Sequence, residues 1–245
     1  MHPGRTLSFV TDPLRLSVIV PVLEEEAQIG DQLEHLKTLA GVDEVLVVDG
    51  GSADGTCAVV ERDPAARLLH SPRGRALQMN RGAADASFEV LLFLHADVRL
   101  PLDAAAQIQA ALGEPGTQAG AFVVRTVVDP RAPMRRWLTP FLHWANRRSE
   151  RTPWPYGDQA LFVRASAFNQ LGGFPEVPIL EDLLLAKSLA QHAPIARAPG
   201  PVLVSGRRFQ VRPWRTILQM RLIPTLLRWG VSPQRLADWY GVPRA

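Results

Sequence analysis

Four short apolar runs recur in the first hundred residues, and each stops abruptly at polar side chains. Leu16-Ser17-Val18-Ile19-Val20 is β-branched and closed by Pro21, which cannot donate to a ladder and so marks the strand's end. Glu44 to Val48, Ala66 to His70 and Glu89 to Leu94 repeat the pattern. Between the first two runs, Ile29, Leu33, Leu36 and Leu39 recur at helical spacing, behind Glu24, Glu25 and Glu26, acids that favour the first turn of a helix. Pro101 starts a further helix through Leu112. Unbroken apolar runs mean strands buried on both faces, so the pattern predicts an α/β fold with a mostly parallel, twisted sheet flanked by helices.

The second half is less regular. Ala119 to Val128 reads as a long strand, and Met134 to Arg148 as a helix with Trp137, Phe141 and Trp144 on a packing side opposite arginines. The run Ala160 to Val163 follows Tyr156-Gly157-Asp158-Gln159, and a helix opens at the adjacent acids Glu181 and Asp182 and continues through Leu189. From Ser205 the chain becomes a basic amphipathic tail, with Arg207, Arg208, Arg212, Arg215, Arg221 and Arg228 among Trp214, Leu218, Leu222 and Trp229. Such a segment, kinked at Pro224, either lies on an anionic bilayer as a peripheral membrane contact or packs as a cover over the domain. The expected organisation is an extension over 1–15, a main domain over 16–204 and the helical tail over 205–245. Within the main domain, a regular half over 16–115 is followed by the less regular half over 116–204.

Composition narrows the picture. With 245 residues and 47% hydrophobic content the chain has enough apolar surface for a proper core. The single Cys57 excludes an intrachain disulfide and a cysteine-based metal cluster. No run of 18 apolar residues occurs and Met1 to Thr11 lacks a signal-type apolar core, so the expected compartment is the cytoplasm, with the inner face of the plasma membrane if the tail docks there. Net charge is only +3, but Arg greatly outnumbers Lys and the arginines thicken after Arg125. That favours phosphate or an anionic surface as a partner over nucleic acid.

The chemistry sits where strands end. In open α/β sheets ligands collect beyond the carboxyl ends of the strands. Glu25, Asp49, Arg73 with Arg75, and Asp97 all fall at such turns. Asp49-Gly50-Gly51-Ser52 is not a dinucleotide fingerprint, because Ser52 stands where the second glycine is required, and no P-loop lysine follows. Arg73-Gly74-Arg75 at a helix start combines guanidinium and amide donors, a cradle suited to a diphosphate. Each element alone has an ordinary structural reading as a cap, a turn or a solvated face, whereas polar groups at every crevice-facing turn point to a binding site.

In order, Val-Ile-Val-Pro-Val-Leu-Glu-Glu-Glu, Val-Val-Asp-Gly-Gly-Ser-Ala-Asp-Gly-Thr and the acid after Leu-Phe-Leu resemble the family 2 glycosyltransferases of GT-A fold. Ser71-Pro72-Arg73-Gly74-Arg75, Gln78-Met79-Asn80, Leu94-His95-Ala96-Asp97, Gly157-Asp158-Gln159 and Gly172-Gly173-Phe174-Pro175 look like markers of a small stand-alone bacterial subgroup, of the radical-SAM/selenodomain-associated transferase type. The resemblance covers roughly residues 16 to 210 and implies transfer of one sugar, with inversion, from a nucleotide donor, UDP-linked, to a hydroxyl acceptor, lipids included. It implies donor contacts at Pro21, Glu25, Asp49, Gly51, Arg73, Arg75, Asn80, His95, Ala96, Asp97, Arg207 and Arg208, and acceptor contacts at Tyr156, Gly157, Asp158 and Gln159. Asp97 is the implied ligand of a divalent metal, Mn2+ or Mg2+, and Asp182, beside Glu181, the implied base. Three positions depart from the usual pattern: Glu24 replaces an Asn, Gly50 replaces a second Asp, and His95 holds the first acidic place of Asp-x-Asp. A nucleotidyltransferase of related fold and a non-catalytic sugar-nucleotide or membrane-recruited module are the rival readings.

Overall fold

A computed structural model describes residues 14–128, 138–206, 209 and 213–240. The strands are β1 (Leu16–Val22), β2 (Glu44–Asp49), β3 (Arg67–His70), β4 (Val90–Phe93), β5 (Val98–Arg99), β6 (Ala119–Val127), β7 (Phe162–Arg164) and β8 (Ile195–Ser205). They form one mixed sheet in the order β3-β2-β1-β4-β7-β6-β8-β5. β1 pairs in parallel with both β2 and β4, whereas β7 runs antiparallel between β4 and β6. The strand order reverses between β1 and β4, which opens the crevice at the carboxyl end of β1.

Apolar residues fill both faces of the central strands, as the unbroken runs require. Val18, Val20, Val47 and Leu92 pack against α1 (Glu26–Lys37) and α4 (Ala104–Gly113) through Ile29, Leu33 and Ile108. On the other face, Ile19, Leu46, Val48 and Phe93 meet α3 (Arg75–Asp85), α6 (Ala165–Gln170) and α7 (Glu181–His192). Gly82 lets α3 come close: a Cβ there would lie 2.5 Å from Ile19 Cγ2.

Several local expectations change. β1 runs through Pro21 to Val22, with Pro21 opposite Val48. By then the ladder to β4 has ended, at Ile19 and Phe93, so that edge of β1 needs no donor. Of the three glutamates only Glu26 lies in the first turn of α1, and Glu24 is left-handed at φ 55. The helix expected over Met134 to Arg148 is seen as α5 (Leu138–Arg151); its predicted start and Trp137 lie outside the described residues, as do Arg207, Arg208 and Arg212. Phe141 packs at a tilt against Trp144 and Phe209, as the packing reading expects. The tail forms α8 (Pro213–Arg228), with Pro224 inside it, and α9 (Pro233–Tyr240). Among the described residues no helix is long and apolar enough to cross a membrane.

Candidate active site

The loops after β1 and β2 are laced together. The backbone amides of Glu24, Glu25 and Glu26 donate to Ser52 Oγ, Thr56 Oγ1 and Asp54 Oδ2, and Glu26 accepts in return from Gly55 N–H. Ser52, Asp54 and Thr56 therefore set the course of the chain that carries Glu25 to the cleft. The use of Ser, Thr and Asp at a helix start, here that of α2 (Thr56–Glu61), was the signal available, but their partners lie about 30 residues away and no local rule points there. Gln78 is a second such residue. Buried on α3, its Nε2 donates to Val22 O at 2.7 Å and Val48 O at 2.8 Å, clamping the ends of β1 and β2.

A cleft of ≈ 1400 Å³ opens beyond these strand ends. Pro21, Glu25, Arg73, Arg75, His95 and Asp97 line one part of it. Tyr156, Gly157, Asp158, Gln159 and Asp182 line it as well. Asp97 follows the fully buried β4, and the short pairing of β5 with β8 anchors the chain just past it. Asp182 opens α7 behind Leu180, whose left-handed backbone (φ 67) turns the chain into the helix. Leu180, Ala160 and Glu24 are the non-glycine residues with positive φ among those described, and each adjoins or lies next but one to a residue of the cleft. Such backbone costs energy and persists where surrounding structure demands it, commonly at sites.

The structure separates the two adjacent acids. Asp182 lines the cleft, where its carboxylate accepts from the backbone N–H of Gly157 and, at 2.7 Å, of Leu183. Glu181 is buried, 3.7 Å from Arg75, with Oε1 lacking a hydrogen-bond partner. Gly157 is wedged between His95 and Asp182: an added Cβ would stand 2.8 Å from the imidazole and 2.9 Å from Asp182 Oδ2. Any side chain there would part the histidine from the acid.

Burial raises all three carboxyl groups at this end of the cleft. Desolvation, then the charge of Asp182, pushes Asp158 up to about 6, and the same two causes push Glu181 up to about 7. Desolvation also raises Asp182, against the amides of Leu183 and Gly157 and the charge of Arg75. A carboxyl that binds its proton more tightly when folded contributes stability at low pH and loses it as pH climbs through the folded value. Glu181, ordinarily 4.5, and Asp158, ordinarily 3.8, thus place the loss between about pH 4 and pH 7. The melting temperature is expected to fall as pH rises across that window. Glu181→Gln should remove part of the fall, and an unchanged slope would show that burial of Glu181 is not its cause.

Five of the expected contact residues have other work or another position. Asn80 spends its carboxamide on the backbone of Phe174, donating to its carbonyl at 2.9 Å and accepting from its N–H at 2.8 Å. Gln159 is buried, donating to Phe122 O and Ser149 O and accepting from Tyr156 N–H. Asp49 is buried and turns back on its own loop, accepting from Gly51 N–H, Ser52 N–H and Ser52 Oγ. Gly51, at φ 94, supplies that turn, and Ala96 is buried off the cleft wall. Arg207 and Arg208 lie outside the described residues.

Two places bear on a metal. Asp49, Cys57 and His70 bring one ligand atom each to within 4.8 Å of one another. Their thiol and imidazole suit a softer ion than Mn2+ or Mg2+, and the trio is absent from the cleft wall. Asp97, with Asp158 close enough to feel its charge, puts carboxylate oxygens inside the cleft, the donor type a hard divalent cation prefers.

Strand order, crevice and acids together define an α/β domain of GT-A type. The model of glycosyl transferase family 2 matches residues 17–172, and the chain belongs to that family. Glucosyl-3-phosphoglycerate synthase of Mycolicibacterium smegmatis is 31% identical over 93 residues, a match spanning 34% of this chain and 31% of that one. Among solved structures, a mannosyltransferase from Pyrobaculum calidifontis in complex with GDP-Man and Mn2+ superposes with TM-score 0.66 at 23% identity, covering 89% of this chain and 65% of its own. Glucosyl-3-phosphoglycerate synthase from Mycobacterium tuberculosis, with Mn2+, UDP-glucose and phosphoglyceric acid, gives TM-score 0.57 at 19% identity over 95% and 86% of the two chains. The chain thus spans about a third of the curated relative and less than two thirds of the mannosyltransferase.

Proposed function

We propose that this protein transfers a single sugar from a nucleoside-diphosphate sugar, UDP-linked, to a hydroxyl acceptor with inversion at the anomeric carbon. The observation that carries the reading is the cleft itself, lined by Arg73, Arg75, Glu25 and Asp97 at the strand ends and by a desolvated carboxylate, Asp182. Displacement at the anomeric carbon needs a base for the acceptor hydroxyl and charge stabilisation for the departing diphosphate. Asp182 takes the hydroxyl proton as the acceptor oxygen bonds to the anomeric carbon and the bond to the diphosphate oxygen breaks. Desolvation raises the basicity of Asp182, while Gly157 N–H and Leu183 N–H hold its orientation. Arg73 and Arg75 face the leaving phosphates, and Glu25 and Pro21 border the nucleoside end. Asp97 is the carboxylate that would hold a divalent cation, which when bound neutralises diphosphate charge. Residues 16–115 supply the donor half and 116–204 the acceptor half. The markers from Ser71 to Asn80 and from Gly157 to Gln159 support membership of the small stand-alone subgroup. An apolar stretch of the cleft wall, including Met220 and Ile223, supports a lipid among the acceptors, with action at the inner face of the plasma membrane.

The test is calorimetric titration with UDP, GDP and their glucose, galactose, mannose and N-acetylglucosamine conjugates, with Mn2+ and then with chelator. Metal-enhanced binding of UDP and one conjugate is the expected result. Absence of binding to all of them would overturn the donor assignment.

A further inference from the structure

The last two helices, α8 and α9, lie beyond the family match, and α8 carries apolar groups on both sides. Successive residues of a helix turn by about 100°, so Trp214, Leu218, Arg221, Leu222 and Arg228 of α8 share one arc of about 120°. Thr216, Gln219, Met220 and Ile223 occupy the opposite arc, and all four line the cleft. The inner side has its occupant, the catalytic domain. The outer side exposes large apolar groups: Trp214 is 68% exposed and Trp229, just past the helix end, 78%. Leu218, Leu222 and, from α9, Trp239 are exposed as well. Trp214, Leu218 and Trp239 border a shallow groove on this face.

Charge identifies what this face meets. Arg221, Arg228 and Arg235 are exposed on the two helices, and Arg221 reaches over the Trp144 ring. Between 213 and 240 the sequence carries four arginines and one acid, Asp238. Large exposed apolar patches mark interaction surfaces. Three tryptophans and several leucines ringed by arginines match the lipid headgroup boundary, where indole sits at the interface and guanidinium reaches phosphate. A protein partner or a second copy would have to supply an acidic, apolar face, and this chain shows no such patch among the residues of α8 and α9.

We propose that the outer face of α8 and α9 docks on an anionic lipid bilayer. The helices then stand between bilayer and cleft, with Ile223 and Met220 on the cleft side and Trp214 and Trp229 in the headgroup layer. An amphiphilic acceptor can pass from the membrane to the end of the cleft near Asp182; this consequence, unlike the docking, rests on the transferase reading.

The experiment is co-sedimentation of the full chain with phosphatidylcholine vesicles, with and without phosphatidylglycerol, alongside tryptophan fluorescence. Each basic residue near an anionic surface adds to binding, so the phosphatidylglycerol vesicles should bind at least about tenfold more tightly, with the gain lost in high salt. Indole emission should shift to the blue on binding. Trp214→Ala with Trp229→Ala should abolish binding, and Arg228→Glu should weaken it on anionic vesicles alone, both variants keeping the wild-type melting temperature. Equal binding to both vesicle types, no binding to either, or a dimer in solution that these substitutions dissociate would overturn the proposal. Vesicle binding requires no turnover. A chain that docks on vesicles but binds no nucleotide therefore refutes the transferase reading and leaves the docking face standing.

Discussion

Asp182→Asn is expected to bind the nucleotide sugar with unchanged affinity and to turn it over about a thousandfold more slowly. General-base catalysis by a positioned side chain contributes about 10²- to 10⁴-fold, and Asn retains the shape but cannot take a proton. The two backbone donors to the carboxylate, Gly157 and Leu183, define what the substitution leaves in place: Asn offers one oxygen to two N–H groups. A modest loss of stability is expected with the loss of turnover, and for that reason donor affinity is the control. Transfer to acceptor, followed by release of nucleoside diphosphate, separates the outcomes. Undiminished turnover would remove Asp182 from the role of base. A chain without turnover in the wild type would be the binding module considered above, with nothing for the substitution to remove.

Removal of the metal, or of the carboxylate that would hold it, is expected to have the second largest effect. Substitutions at residues that only orient a metal's ligands cost about 10- to 100-fold in affinity or activity, so loss of a direct ligand costs at least about tenfold. Asp97→Ala is expected to weaken Mn2+-dependent donor binding by that factor and to make the remainder insensitive to chelator. His95 precedes it where a second carboxylate would make the pair, so Asp97 carries more of the metal's affinity than one acid of a full pair. Cys57→Ser is the matching control, because it alters only the softer trio with Asp49 and His70. If Cys57→Ser abolished the metal effect and Asp97→Ala did not, the cation would be assigned to the wrong place.

The strands and the crevice were legible for a definite reason. An apolar run buried on both faces has no alternation to misread, and the polar residue that ends it marks where the strand meets solvent. Asp97 was placed by that logic, just past the end of a strand, whereas Asp182 opens a helix and was singled out by the family resemblance. The pattern of strand ends does not single out residues whose polar groups serve the backbone. Asn80, Gln159 and Asp49 carry the same chemistry as ligand contacts, and all three satisfy buried backbone or loop groups within the fold, Gln159 while also lining the cleft. Their partners lie from 2 to 94 positions away, and nothing in the local pattern distinguishes a clamp from a contact. Pro21 misled in the same manner, since whether a strand can pass through a proline depends on whether its neighbour's ladder has already ended.

From its order of residues alone, this chain commits to an α/β sheet with polar groups gathered at the strand ends and to a basic amphipathic tail. Those follow from side-chain hydrophobicity and backbone preference, which act within a few residues. Tertiary structure alone decided that Glu181 turns inward to Arg75 while its neighbour Asp182 faces the cleft, because adjacent helix residues point about 100° apart and only packing chooses the direction. It likewise decided that β7 inserts antiparallel between β4 and β6, bringing Gly157 between His95 and Asp182. Proximity of that kind depends on how the sheet is ordered in space, and residues 62 and 25 positions apart meet there only once the whole domain has closed around them.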